Sequence, residues 1–387
     1  MQQPRRIADV QAPVIPITAR LIRENPGTIS LAQGVVAYGP PPEALAAISS
    51  AGSEPDDHRY GAVEGDPALI AALKAKLAAD NLIRADTSTC VVVTAGGNMA
   101  FMNAILAITD PGDEVILQAP YYFNHDMAIV MAGCRMVPVP TDANGQLQPD
   151  AIRRAITPRT RAVVTISPNN PTGAVYPEGA LREVNSLCAR LGVYHVHDEA
   201  YEYFTYEGAR HVSPGAWPEA SPHTISLFSM SKTYGMAGWR IGYMVAPARL
   251  FEAIDKIQDT ILICPTRASQ RLATAALAGG SAYCRSRVAA LAPVRALVLD
   301  ALASVADICT TPRPDGAFYC LVRVHSPLDP LTLVERLVRE HRVAAVPGTA
   351  FGLSGCALRV SYGALDAGTV AEGMDRLVRG LRAIAGS

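Results

Sequence analysis

Ser229-Met-Ser-Lys-Thr-Tyr-Gly-Met-Ala-Gly-Trp-Arg240 is a loop of small, hydroxyl-bearing and cationic residues held between two apolar runs, Thr224 to Phe228 before it and Ile241 to Ala246 after it. Both flanks read as buried strands, so Lys232 is presented from a turn between two core elements. A desolvated lysine has a lowered pKa and its amine can attack an aldehyde to form a Schiff base. Ser229, Ser231, Thr233 and Arg240 could hold a phosphate beside it, and Gly235 and Gly238 let backbone approach a ligand closely. The stretch suits a phosphorylated carbonyl compound, against the plainer reading of a surface lysine in a turn; residues elsewhere decide between them.

Working outward, five more short runs rich in valine and isoleucine precede the loop: Cys90 to Thr94, Glu114 to Gln118, Met136 to Pro140, Arg161 to Ser167 and Val193 to Asp198. With the two flanks they make seven candidate core strands. Helix-like stretches at Asn98 to Ile108, Phe123 to Met131 and Gly179 to Leu191 separate them at the spacing of crossover units, which predicts a mostly parallel α/β sheet. The lysine loop is too short for a helical crossover, so at least one strand is expected to run antiparallel. After Ala246 the pattern changes to helix at Leu250 to Ile263, then alanine-rich helix from Ala268 to Leu302 broken near Gly279-Gly280. Short strands at Gly316 to Val324, Val343 to Val346 and Leu358 to Ser361, with helices at Leu331 to Glu340 and Ala367 to Ala385, predict a smaller α+β domain. The expected division is an N-terminal arm over 1–44, a large domain over 45–282 and a small C-terminal domain over 283–387. The arm, with a weak helix at Ile17 to Asn25 and the Pro40-Pro41-Pro42 brake, cannot form a core alone and should dock on the small domain or on a neighbouring subunit.

The chain has 387 residues, 49% of them hydrophobic, and a formal net charge of −1. A sizeable core follows, and nothing in the charge favours nucleic acid or an anionic membrane as partner. No apolar h-region follows the two arginines near the N-terminus and no run of eighteen apolar residues occurs, so a soluble, cytoplasmic protein is expected. Eight cysteines lie scattered without a C-x-x-C pair, as buried reduced thiols.

Four further segments line up with Lys232. Thr94-Ala95-Gly96-Gly97-Asn98 ends a strand and opens a helix, where free N–H groups favour an anion; it matches neither G-x-G-x-x-G nor a P-loop. Asp198-Glu199-Ala200-Tyr201 stands at the carboxyl edge of a core strand, where open α/β sheets bind ligands. A carboxylate there can pair with a protonated pyridine nitrogen, or Asp198 can simply cap a helix; Tyr201 could donate to a phenolic oxygen. Ser167-Pro-Asn-Asn170-Pro-Thr-Gly173 is either a turn or a loop that offers Asn170 to a ring oxygen. Arg359 interrupts an apolar strand and wants a carboxylate, belonging to a structural aspartate or to a substrate.

Ser229-Met-Ser-Lys232 with Arg240, Asp198-Glu-Ala-Tyr201, Asn169-Asn170-Pro-Thr-Gly, Gly96-Gly97 and Arg359 together resemble the class I/II aminotransferases, pyridoxal-phosphate enzymes of fold type I. The resemblance covers nearly the whole chain in the right order. It implies a homodimer with active sites at the domain and subunit interface, and pyridoxal 5′-phosphate as cofactor. By that resemblance Lys232 bonds the cofactor's aldehyde, Asp198 pairs with the pyridine nitrogen, and Asn170 and Tyr201 bind the ring oxygen. Ser229, Arg240 and the Gly96-Gly97-Asn98 backbone hold the phosphate, Tyr60 reaches the phosphate in the partner subunit, and Tyr122 stacks on the ring. The implied reaction moves an amino group from an L-amino acid to a 2-oxo acid by a ping-pong mechanism, with freed Lys232 as general base and Arg359 gripping the substrate α-carboxylate.

Substrate choice is less legible. In the bacterial aspartate aminotransferases that the chain resembles, a lysine beside the diglycine reads the distal carboxylate; here that position is Asn98. Arg267 could substitute, or be solvated, or serve the phosphate. Gly34-Val35-Val36-Ala37 resembles the segment that covers the substrate, with Gly34 and Ala37 against it, and its apolar character suits a neutral or aromatic side chain; Tyr38 could add to that pocket. His125 could approach the cofactor ring or lie on a helix surface. His195 and His197 share a strand face, but no third ligand is evident, so no metal site is expected. The same cofactor machinery supports β-elimination, which makes a carbon-sulfur lyase the catalytic alternative. A regulatory protein built on this domain would carry an extra N-terminal DNA-binding domain, for which forty residues leave no room.

Overall fold

The computed structural model describes residues 5–49, 51–53 and 55–385. Residues 1–4 of the expected arm therefore lie outside the described residues. The seven expected strands form one sheet: β1 (Thr89–Thr94), β2 (Glu114–Ala119), β3 (Arg135–Pro140), β4 (Thr160–Ile166), β5 (Tyr194–Asp198), β6 (Thr224–Ser229) and β7 (Gly242–Pro247). Their spatial order is β1-β7-β6-β5-β4-β2-β3. All neighbours run parallel except β7, which is antiparallel to both β1 and β6. The reversal has a direct cause: between Ser229 and Gly242 the chain makes only short helical turns at Met230–Thr233 and Ala237–Trp239, so it returns beside the strand it left.

Every residue of β6 and of β7 is buried, as a sheet covered on both faces requires. One face packs Val92, Val115, Leu117, Val164, Val196 and Leu227 under the helices Gly97–Ile108 and Phe251–Ile261. Removing a side chain of this kind from water contributes about 1.5–3 kcal/mol. The other face is covered near β1 and β7 by Leu69, Leu73, Leu272 and Ala276, from helices Pro67–Lys76 and Arg267–Ala278.

A 22-residue helix, Ala282–Ala303, leads away from this sheet to a second, four-stranded antiparallel one. That sheet orders Val346–Pro347, Ala357–Ser361, Tyr319–Val324 and Cys309–Thr310, and helices Pro330–His341 and Ala367–Ala385 close its core. The two-residue strand at Cys309 is absent from the sequence reading, because so short a run carries no period. The N-terminal segment docks here: Ile29–Ser30 pairs in parallel with Val343–Ala344, and Ser361 donates its N–H to the Leu31 carbonyl. The expected weak helix forms over Val14–Glu24. The alanine-rich stretch divides into two helices at Gly279 and Gly280. Among the described residues no helix is long and apolar enough to cross a membrane.

Candidate active site

The carboxyl ends of β4, β5 and β6, the start of helix Gly97–Ile108 and the segment from Gln33 to Val35 enclose a cavity of about 450 Å³. Lys232, Arg240 and Arg359 all line it, together with Asp198, Tyr201 and Asn170. Lys232 extends from the first turn after β6, and its Nζ donates to the Gly34 carbonyl. Burial, then the positive charges of Arg359 and Arg240, lower its pKa to about 8, with Asp198 pulling the other way. An appreciable fraction of its amine is therefore neutral near physiological pH.

Arg359 lies in the middle of its strand, opposite Leu321 and Val346, and is 2% exposed. Its Nη1 donates to Asn170 Oδ1 at 3.0 Å and its Nη2 to the Ala32 carbonyl at 2.7 Å, while its Nε has no partner. The guanidinium lies 4.5 Å from the centroid of the Tyr319 ring and 5.1 Å from that of Phe351. Among the described residues no carboxylate pairs with it within 4.0 Å. Of the two partners open to Arg359 in the sequence, a structural aspartate is thus missing among the described residues, and a buried guanidinium that lines a cavity and keeps one unpartnered donor is suited to a ligand carboxylate.

Asp198 serves two neighbours. Its Oδ1 accepts from the Ala200 N–H at 2.9 Å, a capping turn, while Oδ2 lies 3.1 Å from His125 Nε2. His125 is 2% exposed, so its helix-surface reading is corrected: the helix Phe123–Met131 turns it inward, where its ring stacks on Phe101 at 3.8 Å. Tyr201 and Tyr319 hydroxyls meet at 2.7 Å, and Asn170 Nδ2 lies 3.5 Å from the Tyr201 hydroxyl. Tyr319 escaped the sequence reading, since a tyrosine in a strand carries no signal of which side chain it will meet. Tyr122 borders the cavity, with its phenol pushed up to about 12, chiefly by burial.

The end of the cavity nearest helix Gly97–Ile108 is built around Gly96 and Gly97. Gly96 has φ +83°, and a Cβ there would overlap Arg240 Nη2. Glycine at 96 thus admits both the turn and the arginine. Helix Gly97–Ile108 opens at the next residue, its first-turn N–H groups lacking intrahelical acceptors. Ser229, Gly97 and Asn98 line the same end of the cavity. Two cations, a helix N-terminus, a nucleophilic amine and an inward carboxylate are a donor set that fits pyridoxal phosphate.

The remaining expected residues lie differently. Gly34 lines the cavity, but Ala37 is exposed outside it, its N–H bonded to the Gly363 carbonyl. Tyr38 donates its hydroxyl to the Lys232 carbonyl at 2.8 Å and so braces the lysine loop. Tyr60 is 79% exposed and outside this cavity. Arg267 is also outside, near Gly61, with its Nε buried and unpartnered. His195 and His197 share the Thr165 hydroxyl at 2.8 and 2.6 Å, and burial lowers both pKa values, that of His195 to about 3.

The family model for aminotransferase class I and II matches residues 26–377. The chain belongs to the class I and II aminotransferases. It is 36% identical to the aromatic aminotransferase ISS1 of Arabidopsis thaliana, over 97% of this chain and 95% of that one. It is 38% identical to the aspartate/prephenate aminotransferase of Thermus thermophilus, over 79% of this chain and 78% of that one. Among solved structures, the aromatic aminotransferase of Pyrococcus horikoshii OT3 superposes with a TM-score of 0.87 at 31% identity, covering 95% and 99% of the two chains. A single mutant of Thermus thermophilus aspartate aminotransferase gives 0.89 at 33%, covering 98% and 100%. The chain is a pyridoxal-phosphate-dependent aminotransferase, acting on amino acids and 2-oxo acids.

Proposed function

We propose that this aminotransferase takes a neutral or aromatic L-amino acid as donor, and that its site is assembled from Lys232, Asp198, Tyr201, Asn170 and Arg359 within one chain. The observation that carries the reading is the buried Arg359, without a carboxylate partner among the described residues, lining the cavity of the desolvated Lys232. When bound, pyridoxal phosphate supplies an aldehyde that captures amines and an electron sink that acidifies the proton on the amine-bearing carbon. Arg359 binds the substrate α-carboxylate and fixes which bond at that carbon is presented to Lys232. Lys232, with its pKa lowered to about 8, would take the α-proton on Nζ and give one up at the cofactor's aldehyde-derived carbon rather than at the carbon it left. Asp198, which His125 contacts, would provide the countercharge for the pyridine nitrogen. Asn170 and Tyr201 would donate to the ring oxygen, with Tyr122 lining the same cavity. Arg240, Ser229 and the backbone at Gly96, Gly97 and Asn98 would hold the phosphate.

The donor preference is supported by the walls of the cavity. Ile15, Pro13, Pro16, Val35 and Phe123 are apolar, and the three cations present each have a role elsewhere in the site. Asn98 has no charge with which to read a distal carboxylate. The relatives named for aromatic substrates agree with this. The divisions at 1–44, 45–282 and 283–387 are supported by the long helix from Ala282 and by the docking of Ile29–Ser30 on Val343–Ala344. A homodimer gives exposed Tyr60 a partner site to reach, and eight free cysteines suit the reducing cytoplasm. A carbon-sulfur lyase gains no specific observation here.

The test is a single-turnover panel: the holoenzyme is mixed with individual amino acids and the rate of loss of the bound-aldehyde absorbance is recorded. Phenylalanine, tyrosine and other neutral donors should react faster than aspartate by about 10-fold or more, a difference of about 1.4 kcal/mol. Aspartate reacting fastest would overturn the donor assignment.

A further inference from the structure

Tyr319 lines the same cavity as Lys232, Tyr201 and Arg359. It opens the strand Tyr319–Val324, whose antiparallel register sets Leu321 opposite Arg359, so Tyr319 and Arg359 are diagonal neighbours on the second sheet. That placement puts the guanidinium over the Tyr319 ring, 4.5 Å from its centroid, and brings the hydroxyl to the turn after β5, where Tyr201 Oη lies 2.7 Å away. Both tyrosines are buried. A Cβ on Gly34 would stand 2.6 Å from the Tyr319 hydroxyl oxygen, so glycine at 34 leaves that hydroxyl its room.

The direction of the contact follows from counting protons. Burial raises both phenols above their ordinary pKa, so each keeps its single proton at physiological pH. Among the described residues Tyr201 is the one hydrogen-bond partner of the Tyr319 hydroxyl. Only one of the two protons can lie between the oxygens, and the other must point elsewhere. Asn170 does not accept it: its Oδ1 already accepts from Arg359 at 3.0 Å, which leaves Nδ2 facing Tyr201 at 3.5 Å as a donor. When Tyr201 directs its proton to the ring oxygen of the cofactor, its own oxygen can take part in the 2.7 Å contact only as acceptor, and Tyr319 must donate. A hydroxyl that accepts a hydrogen bond is polarised into a stronger donor.

We propose that Tyr319 is a positioning residue for Tyr201: its hydroxyl donates to Tyr201 Oη, aims the Tyr201 proton at the cofactor's ring oxygen and strengthens that donor. The contact joins the two sheets, because Tyr201 follows β5 of the seven-stranded sheet and Tyr319 begins a strand of the four-stranded one. This inference rests on the reading of Tyr201 as a donor to the ring oxygen, whereas the contact between the two hydroxyls does not.

Tyr319→Phe removes the hydroxyl and keeps a ring beneath Arg359; it is compared with Tyr201→Phe and with the double variant. In apoprotein labelled with ¹³C at tyrosine Cζ, where each single variant assigns the signal it lacks, Tyr319→Phe should shift the Tyr201 signal. In the holoenzyme, the pH midpoint of the cofactor absorbance should rise in Tyr319→Phe by about 0.3–1 pH units, because a weaker donor leaves more negative charge on the ring oxygen to favour a proton on the nitrogen that Lys232 contributes. With L-phenylalanine, kcat should fall about 2- to 10-fold and KM change less than about twofold. Tyr201→Phe should raise the midpoint further, and adding Tyr319→Phe to it should leave the midpoint where it stands. A midpoint unmoved by Tyr319→Phe but raised by Tyr201→Phe would overturn the proposal and keep Tyr201 as the ring-oxygen donor. A midpoint unmoved by either would overturn that reading of Tyr201 and the proposal with it. Equal shifts from Tyr319→Phe with and without the Tyr201 hydroxyl, or an unmoved Tyr201 signal in the apoprotein, would overturn the route through Tyr201.

Discussion

Arg359→Met isolates the binding of the substrate carboxylate. The change keeps an unbranched side chain in a site that is 2% exposed, but removes the guanidinium whose Nε is free. A charge-assisted hydrogen bond contributes about 1.5–3 kcal/mol, so losing a bidentate pair should remove about 3–6 kcal/mol of substrate binding. At about 1.4 kcal/mol per tenfold, kcat/KM for phenylalanine should fall by about 10²–10⁴. Asn170 Oδ1 and the Ala32 carbonyl also lose their donors, which should cost about 1–3 kcal/mol of folding stability. Those two effects separate in one assay. The rate of the first half-reaction is measured with L-phenylalanine and with phenethylamine, the same molecule without its carboxylate, while thermal unfolding of the holoenzyme reports stability. The wild type should favour the amino acid strongly, and the variant should treat the two almost alike. Equal losses for both compounds would refute the carboxylate assignment and leave Arg359 a structural residue.

Other expectations follow from the same geometry. Because Lys232 is held at about 8 against an ordinary 10.5, it binds fewer protons folded than unfolded between those values. Apoprotein stability should therefore rise with pH across that window in denaturant titrations, and fall as pH drops from 10.5 toward 8. The rate at which added pyridoxal phosphate bonds to apoprotein should climb with pH to a midpoint near 8, and Arg359→Met should move that midpoint upward by removing a neighbouring positive charge. Gly96→Ala asks an alanine to adopt φ +83° against Arg240 Nη2, so it should cost about 1–2 kcal/mol or more and weaken cofactor retention, read by equilibrium dialysis. Tyr60→Phe should reduce cofactor affinity by about 1 kcal/mol, the worth of one hydrogen bond, if the exposed Tyr60 reaches a partner's phosphate; unchanged affinity in a sedimenting dimer would remove that role.

What could be read from sequence divides along physical lines. Buried parallel strands announce themselves as apolar runs, and the short link from Ser229 to Gly242 carries the sense of β7 in its length. Asp198 and Arg359 stand out because a charge at the end or the middle of an apolar strand has to be explained by a partner, and Lys232 because it sits among hydroxyls and glycines in a short loop between two such strands. Ala37 was assigned with Gly34 from a contiguous motif, and the chain turns it out to solvent within three residues. His125 required the rotation of a helix, which its nine residues do not reveal, and Tyr319 required the packing of one sheet against the other.

The most direct test of the account is one turnover of the holoenzyme with L-phenylalanine and no oxo acid, followed by mass analysis of every product. The account predicts that the bound cofactor is converted to its aminated form, that one equivalent of phenylpyruvate appears per active site, and that the reaction then stops until a 2-oxo acid is added. Continuous release of ammonia without an acceptor, or an unchanged cofactor in protein whose Lys232 is intact, would contradict it.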